Sequence, residues 1–214
     1  MSSNKSITRY LSVFIIVLAL FGLSTYSFGV FGQGGKAEFK DEYKESIQSN
    51  NLYKYITQYD VLELLNDGTG VLYLGYPEDV ECKRIVSVLN ETAFTNGIDK
   101  IYYYNLKDDQ IVLSLNEMNK VEVENQSTNF YNELLKELKD NTDEYILEDE
   151  NGKIYKTGKM KLNTPSVVFV KDGEIVYFHD GIVEGYNDVN VDLTQEQLEE
   201  LEHIYQMGFD LINE

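Results

Sequence analysis

Cysteine occurs once in this chain of 214 residues, proline twice and histidine twice. A single thiol, Cys82, cannot close a disulfide within the chain, so the fold has to rest on an apolar core and any bridge runs to another molecule. His179 and His203 lack the His/Cys/carboxylate spacing that holds zinc or copper, and the acidic stretches 148–151 and 180–192 lack EF-hand spacing, so no metal is expected. There is no Gly-X-Ser-X-Gly elbow and no phosphate-binding loop, so no cofactor is expected either. Basic residues are scarce, 18 against 37 acids. All the acids fall at Glu38 or later, where 15 bases oppose them, a net of −22. That sign excludes nucleic acid as a partner and repels anionic lipid headgroups; its plain meaning is solubility.

One long apolar run is present. Residues 10–31 carry no charge over 22 positions, and at about 1.5 Å rise per residue a helix of that length crosses a hydrocarbon layer of roughly 30 Å. Lys5 and Arg9 precede it, which predicts residues 1–9 in the cytoplasm, a single-pass anchor in the lipid bilayer over 10–31, and everything later outside the cell membrane. The alternative is a secretory signal cut within 29–37, with the rest secreted, although no A-x-A-type site stands out. No cysteine follows the run closely, which removes lipoprotein anchoring.

The remainder is read as a linker and lead-in helix over 32–52, then one domain over 53–214 with an insertion near 107–163. Residues 53–57 suit a strand and 59–65 a short helix before the turn cluster Asp67-Gly68-Thr69-Gly70. Residues 71–74 form a continuous apolar run, the mark of a strand buried on both faces. Cys82, Ile85, Val86, Leu89 and Ala93 share one helical face, with Asn96-Gly97 as its stop. Residues 101–104 suit another buried strand, so the order strand, helix, strand predicts parallel pairing by a right-handed crossover. Residues 107–127 read as polar and irregular, Phe130, Leu134, Leu135 and Leu138 as an amphipathic helix, and 145–160 as loop or edge structure. Asp172-Gly173 joins strands over 167–170 and 174–178 by a type I′ turn. A last helix begins near Thr194, whose spacing to Gln197 is a capping box. Asn90 and Asn125 lie in Asn-X-Ser/Thr sequons, which carry no weight without a known host.

The stretch Leu72-Tyr73-Leu74-Gly75-Tyr76-Pro77-Glu78, then Cys82-Lys83-Arg84, then Asn163-Thr164-Pro165-Ser166 with its following strand and the hairpin at Asp172-Gly173, resembles bacterial membrane-anchored thioredoxin-like proteins. The bacteriocin transport accessory group is among them, and the resemblance runs from about residue 53 to the C-terminus. It implies an α/β thioredoxin-like fold, a central mixed sheet flanked by helices, preceded here by one N-terminal transmembrane helix. It implies that Pro77, Asp79 and Cys82 occupy the redox motif, with Asp79 where the attacking, exposed sulfur belongs and Cys82 as the buried, resolving one. The motif Asp79-Val80-Glu81-Cys82 is thus a degenerate Cys-X-X-Cys, and a carboxylate cannot form a mixed disulfide. It further implies that Thr164-Pro165 is cis and that the Thr164 backbone borders a peptide groove.

Beside a purely structural component of a surface complex, two readings follow from these residues. In one, the protein is a polypeptide-binding or export accessory module whose partner is an exported polypeptide or a membrane transport component; Cys82 is a packed core thiol and Asp79 a helix cap. In the other, it is a thiol-disulfide oxidoreductase acting through Cys82 as its catalytic residue, alone or with a partner's sulfur. Pro165 serves either a retained groove or the fold alone.

Overall fold

A computed structural model of the chain describes residues 35–186 and 188–214. The expected membrane span over 10–31 lies outside the described residues, and among the described residues no helix is long and apolar enough to cross a membrane.

The architecture is mixed α/β: a five-stranded mixed sheet with helices on both faces. In chain order the elements are α1 (Lys36–Tyr43), β1 (Tyr53–Tyr55), α2 (Gln58–Asp67), β2 (Gly70–Gly75), α3 (Val80–Thr95) and β3 (Ile101–Asn105). Two further strands, β4 (Val112–Leu115) and β5 (Val121–Asn125), precede α4 (Asn129–Glu137), β6 (Asp143–Glu148) and β7 (Ile154–Lys161). The chain closes with β8 (Ser166–Lys171), β9 (Glu174–Asp180) and α5 (Gln195–Asn213). The sheet order is β1-β3-β2-β8-β9, with β1, β3 and β2 parallel and β8 antiparallel to both β2 and β9.

Strand residues alternate between the two faces, as a period of two requires. Val71, Tyr73, Val167 and Phe169 join Ile85, Val86 and Leu89 of α3 and Leu201, Tyr205 and Phe209 of α5 in one core. Leu72, Leu74, Val168 and Val170 join Val61, Leu64 and Leu65 of α2 and Phe130, Tyr131 and Leu134 of α4 in the other. Both helix starts that matter most are capped by the residues the sequence offers. Thr57 with Asp60 and Thr194 with Gln197 form complete capping boxes. At the β8–β9 turn Asp172 and Gly173 have φ of 51° and 78°, the left-handed pair of a type I′ turn. A Cβ at Gly173 would stand 2.3 Å from the Asn66 carbonyl oxygen, so glycine is required there on steric grounds as well.

Three segments differ from their expectation. The lead-in helix, expected within 32–52, spans only Lys36–Tyr43 and is an integral part of the domain: Phe39 and Tyr43 are buried, with Phe39 stacked 3.9 Å from Tyr53 and 4.3 Å from Tyr43 by ring centroids. The charges around them conceal this face in the sequence. Residues 107–127 are not irregular but carry the β4–β5 hairpin, and residues 145–160 lie mostly in the β6–β7 hairpin. Both are separate two-stranded sheets. The first is rooted by Asp109, which is buried and accepts hydrogen bonds from Gln58 Nε2 (3.0 Å), Tyr104 Oη (2.6 Å) and Thr128 Oγ1 (2.7 Å).

Because Phe39 fills a core position, Phe39→Ala should destabilise the protein by about 3–5 kcal/mol, the usual range for deleting a buried aromatic ring. A urea midpoint unchanged by this substitution would mean that α1 is dispensable.

Candidate functional site

The site lies where β2 leaves the sheet. Gly75 ends that strand, residues 76–79 turn outward, and α3 begins at Val80. Asp79 is the N-cap of α3: its Oδ1 accepts from the backbone N–H of Glu81 (2.8 Å) and of Cys82 (3.1 Å). A carboxylate suits that place because the first amides of a helix have no intrahelical acceptor and the helix dipole is positive there. Its other oxygen, Oδ2, accepts from Thr164 Oγ1 at 3.2 Å. One carboxylate therefore ties the start of α3 to the loop before β8, across 85 positions of sequence. The Thr164-Pro165 bond is cis.

Cys82 lies on the inner face of α3, fully buried. Its sulfur packs against the bare end of β2, where a Cβ at Gly75 would come within 2.7 Å of Sγ. Burial pushes the thiol up from 9.0 to about 12, and the Asp79 carboxylate adds to that; Tyr73 acts the other way. Arg84, two residues on, gives no help toward a thiolate. The Arg84 guanidinium turns away to pair with Asp192 at 2.5 Å and to donate to the Val189 carbonyl at 3.1 Å. Around the sulfur stand buried tyrosines, with Tyr43 Oη 3.0 Å from Tyr73 Oη, and desolvation raises the pKa of each of these phenols well above its ordinary value. The environment is that of a neutral, inaccessible thiol rather than an attacking one.

Beside Thr164 opens a groove of about 540 Å³ that neither Asp79 nor Cys82 lines. Tyr76 and Glu81 line it from the α3 side, Ile111 and Val112 from the root of β4, Tyr145 from β6, and residues 161–164 with Asp180 and Gly181 from the strands beyond. The segment 162–166 is held from several sides. The Tyr131 hydroxyl accepts from the Leu162 amide (3.0 Å), Asn163 Nδ2 donates to Asp143 (2.6 Å) and Asp180 (2.8 Å), and the Gly181 amide donates to the Pro165 carbonyl (2.8 Å). Among the described residues, no hydrogen bond is made by the Thr164 backbone N–H or C=O. A backbone pair left open on the rim of a groove is a ready acceptor for another extended chain.

Of the residues singled out from sequence, Asp79, Cys82, Thr164 and Pro165 come together, and Pro77 sits in the turn leading to them. The groove walls contributed by Ile111, Tyr145, Leu162 and Asp180 were not foreseen. The alternation Val121-Glu122-Val123-Glu124 was the signal for the hairpin that raises one wall. The two sequon asparagines are engaged within the fold: Asn90 Oδ1 accepts from the Leu52 amide at 2.8 Å, and Asn125 Nδ2 donates to the Gln110 carbonyl at 2.9 Å. Among the described residues no group of three or more His, Cys, Asp or Glu is arranged to hold a metal ion.

No family model, curated protein or solved structure matches the chain.

Three outcomes follow from this geometry. Alkylation of Cys82 in the native protein at pH 8 should be slower than in denaturant by about a hundredfold or more, because both thiolate fraction and access are lost. The same raised pKa makes folding stability pH-dependent: full below about 9, where the unfolded thiol is also protonated, and falling as pH rises toward 12, as a urea titration would show. Asp79→Ala, which removes the cap, should cost about 1 kcal/mol and lower Tm by about 2–4 °C in a thermal melt.

Proposed function

We propose that this chain is a thioredoxin-like protein with a degenerate redox site, held at the bacterial cell membrane by residues 10–31 with its domain outside, and that it binds extended polypeptide as an accessory module of export. What carries the reading is the Thr164 backbone, unpaired on the rim of the groove beside Asp79. In the thioredoxin-like proteins the backbone before the cis-proline pairs with substrate peptide, and strand addition of that kind needs no thiol. The sheet order β1-β3-β2-β8-β9, the helix that starts at Val80 and the cis bond at Thr164-Pro165 all agree with that family's arrangement.

The same features weigh against a thiol-disulfide oxidoreductase. Attack on a disulfide requires a thiolate within reach of it, and Cys82 is neither ionised near neutral pH nor exposed. An oxygen acid at position 79 has no bond to offer a sulfur.

Three measurements test this. The full chain in nanodiscs should not turn over insulin disulfides, whereas Asp79→Cys incubated with oxidised glutathione, which is reduced to two glutathione thiols, should form an internal bridge with Cys82, detected as the mass of the two hydrogens lost. Failure of that bridge to form would count against the motif alignment. Adding an unfolded exported polypeptide should slow hydrogen exchange at the Thr164 amide and leave α2 unchanged. Exchange at Thr164 that ignores the polypeptide would overturn the binding reading.

A further inference from the structure

We propose that the groove is selective for cationic segments, an extended polypeptide carrying lysine or arginine. The inference rests on the peptide-binding reading and adds to it the chemistry of the occupant. Glu81 and Asp180 stand on the boundary of two openings, the groove of about 540 Å³ and a second of about 450 Å³ that continues from it past His179 to Glu184 and Glu200. Among the described residues, Lys161 is the one cation lining the first opening, and its ammonium already lies over the Tyr145 ring, 5.2 Å from the centroid. Among the described residues neither Glu81 nor Asp180 has an ion-pair partner.

Burial and the neighbouring Asp79 carboxylate both raise the pKa of Glu81, which means that its charge is held at a disadvantage an incoming cation would relieve. His179 does not supply that charge: burial lowers its pKa, and its Nε2 is buried without a partner. Tyr76, Tyr145, Ile111 and Leu162 contribute aromatic and aliphatic surface to the opening that Glu81, Asp180 and Thr164 also line. Such walls accept the methylene stems of lysine and arginine while the charged ends reach acid. Other occupants fit less well. A second copy of this chain, with 37 acids against 18 bases, is repelled, as is any nucleic acid.

The test uses the full chain in nanodiscs of phosphatidylcholine, which do not attract basic peptides by themselves. A fluorescent decapeptide of alternating lysine and valine should bind about tenfold or more tighter than its lysine-to-glutamine counterpart, and the advantage should shrink as salt is raised. The pair Glu81→Gln with Asp180→Asn should remove most of that advantage. The pair Glu63→Gln with Glu91→Gln, which deletes the same charge from exposed sites on α2 and α3 away from both openings, should keep it. Equal weakening by the two pairs would show diffuse attraction to an acidic protein and overturn the proposal. Equal binding of the two peptides, with the Thr164 amide still protected, would overturn the charge selectivity and leave the groove reading standing. Binding of neither peptide, together with no protection by unfolded polypeptide, would overturn both. The comparison of peptides on the unaltered chain decides the matter even if a variant fails to fold.

Discussion

Strand β2 is enclosed from every direction. Parallel β3 and antiparallel β8 take its backbone hydrogen bonds on either side, and Val71, Leu72, Tyr73 and Leu74 are all fully buried, two on each face of the sheet. Four successive residues without water require a helical layer above and below, which is what α3 and α5 on one face and α2 and α4 on the other provide. The strand can leave this enclosure only at its end. Gly75 is where it does so, and the loop that follows delivers Asp79 and the start of α3 to the same edge of the sheet as the loop before β8.

At that edge two positions three residues apart have opposite fates. Position 79 precedes the helix, half-exposed, with both carboxylate oxygens engaged; position 82 is one turn later, on the stripe that faces the core. The helical period imposes the difference, since a residue at the cap and one at the third helical position do not share a solvent environment here. The thiol at 82 packs as a small apolar group. The carboxylate at 79 supplies a cap and a cross-link to Thr164, so the edge is organised without covalent chemistry.

Most of the main sheet and its helices was legible because each had a local signature. The spacing of Cys82, Ile85, Val86, Leu89 and Ala93 marked α3, and all five are buried. Asp172-Gly173 announced its turn through the φ values that only such a pair adopts readily. Thr194 and Gln197 closed the capping box three residues apart. The β4–β5 and β6–β7 hairpins were hidden for the converse reason. The Val121-Glu122-Val123-Glu124 alternation is short and set among polar neighbours, and Val121, Val123, Ile146, Ile154 and Met160 stay exposed, so these strands lack the continuous apolar runs that mark the buried strands of the main sheet. Phe39 and Tyr43 were hidden among charges, on a helix too short to establish a period.

What the sequence alone determined is what neighbours within a few residues decide: one thiol and hence no internal disulfide, a strongly acidic domain, the capped helix starts, the turn at Asp172-Gly173 and the buried strand at 71–74. Those features depend on atoms joined by short lengths of chain, or on net charge, which needs no fold at all. The groove was decided by tertiary structure. Its walls come from positions near 76, 111, 145, 162 and 180, and nothing in any one segment specifies how far it will stand from the others. Long-range pairing sets those distances, and with them whether the Thr164 backbone meets a partner or remains open.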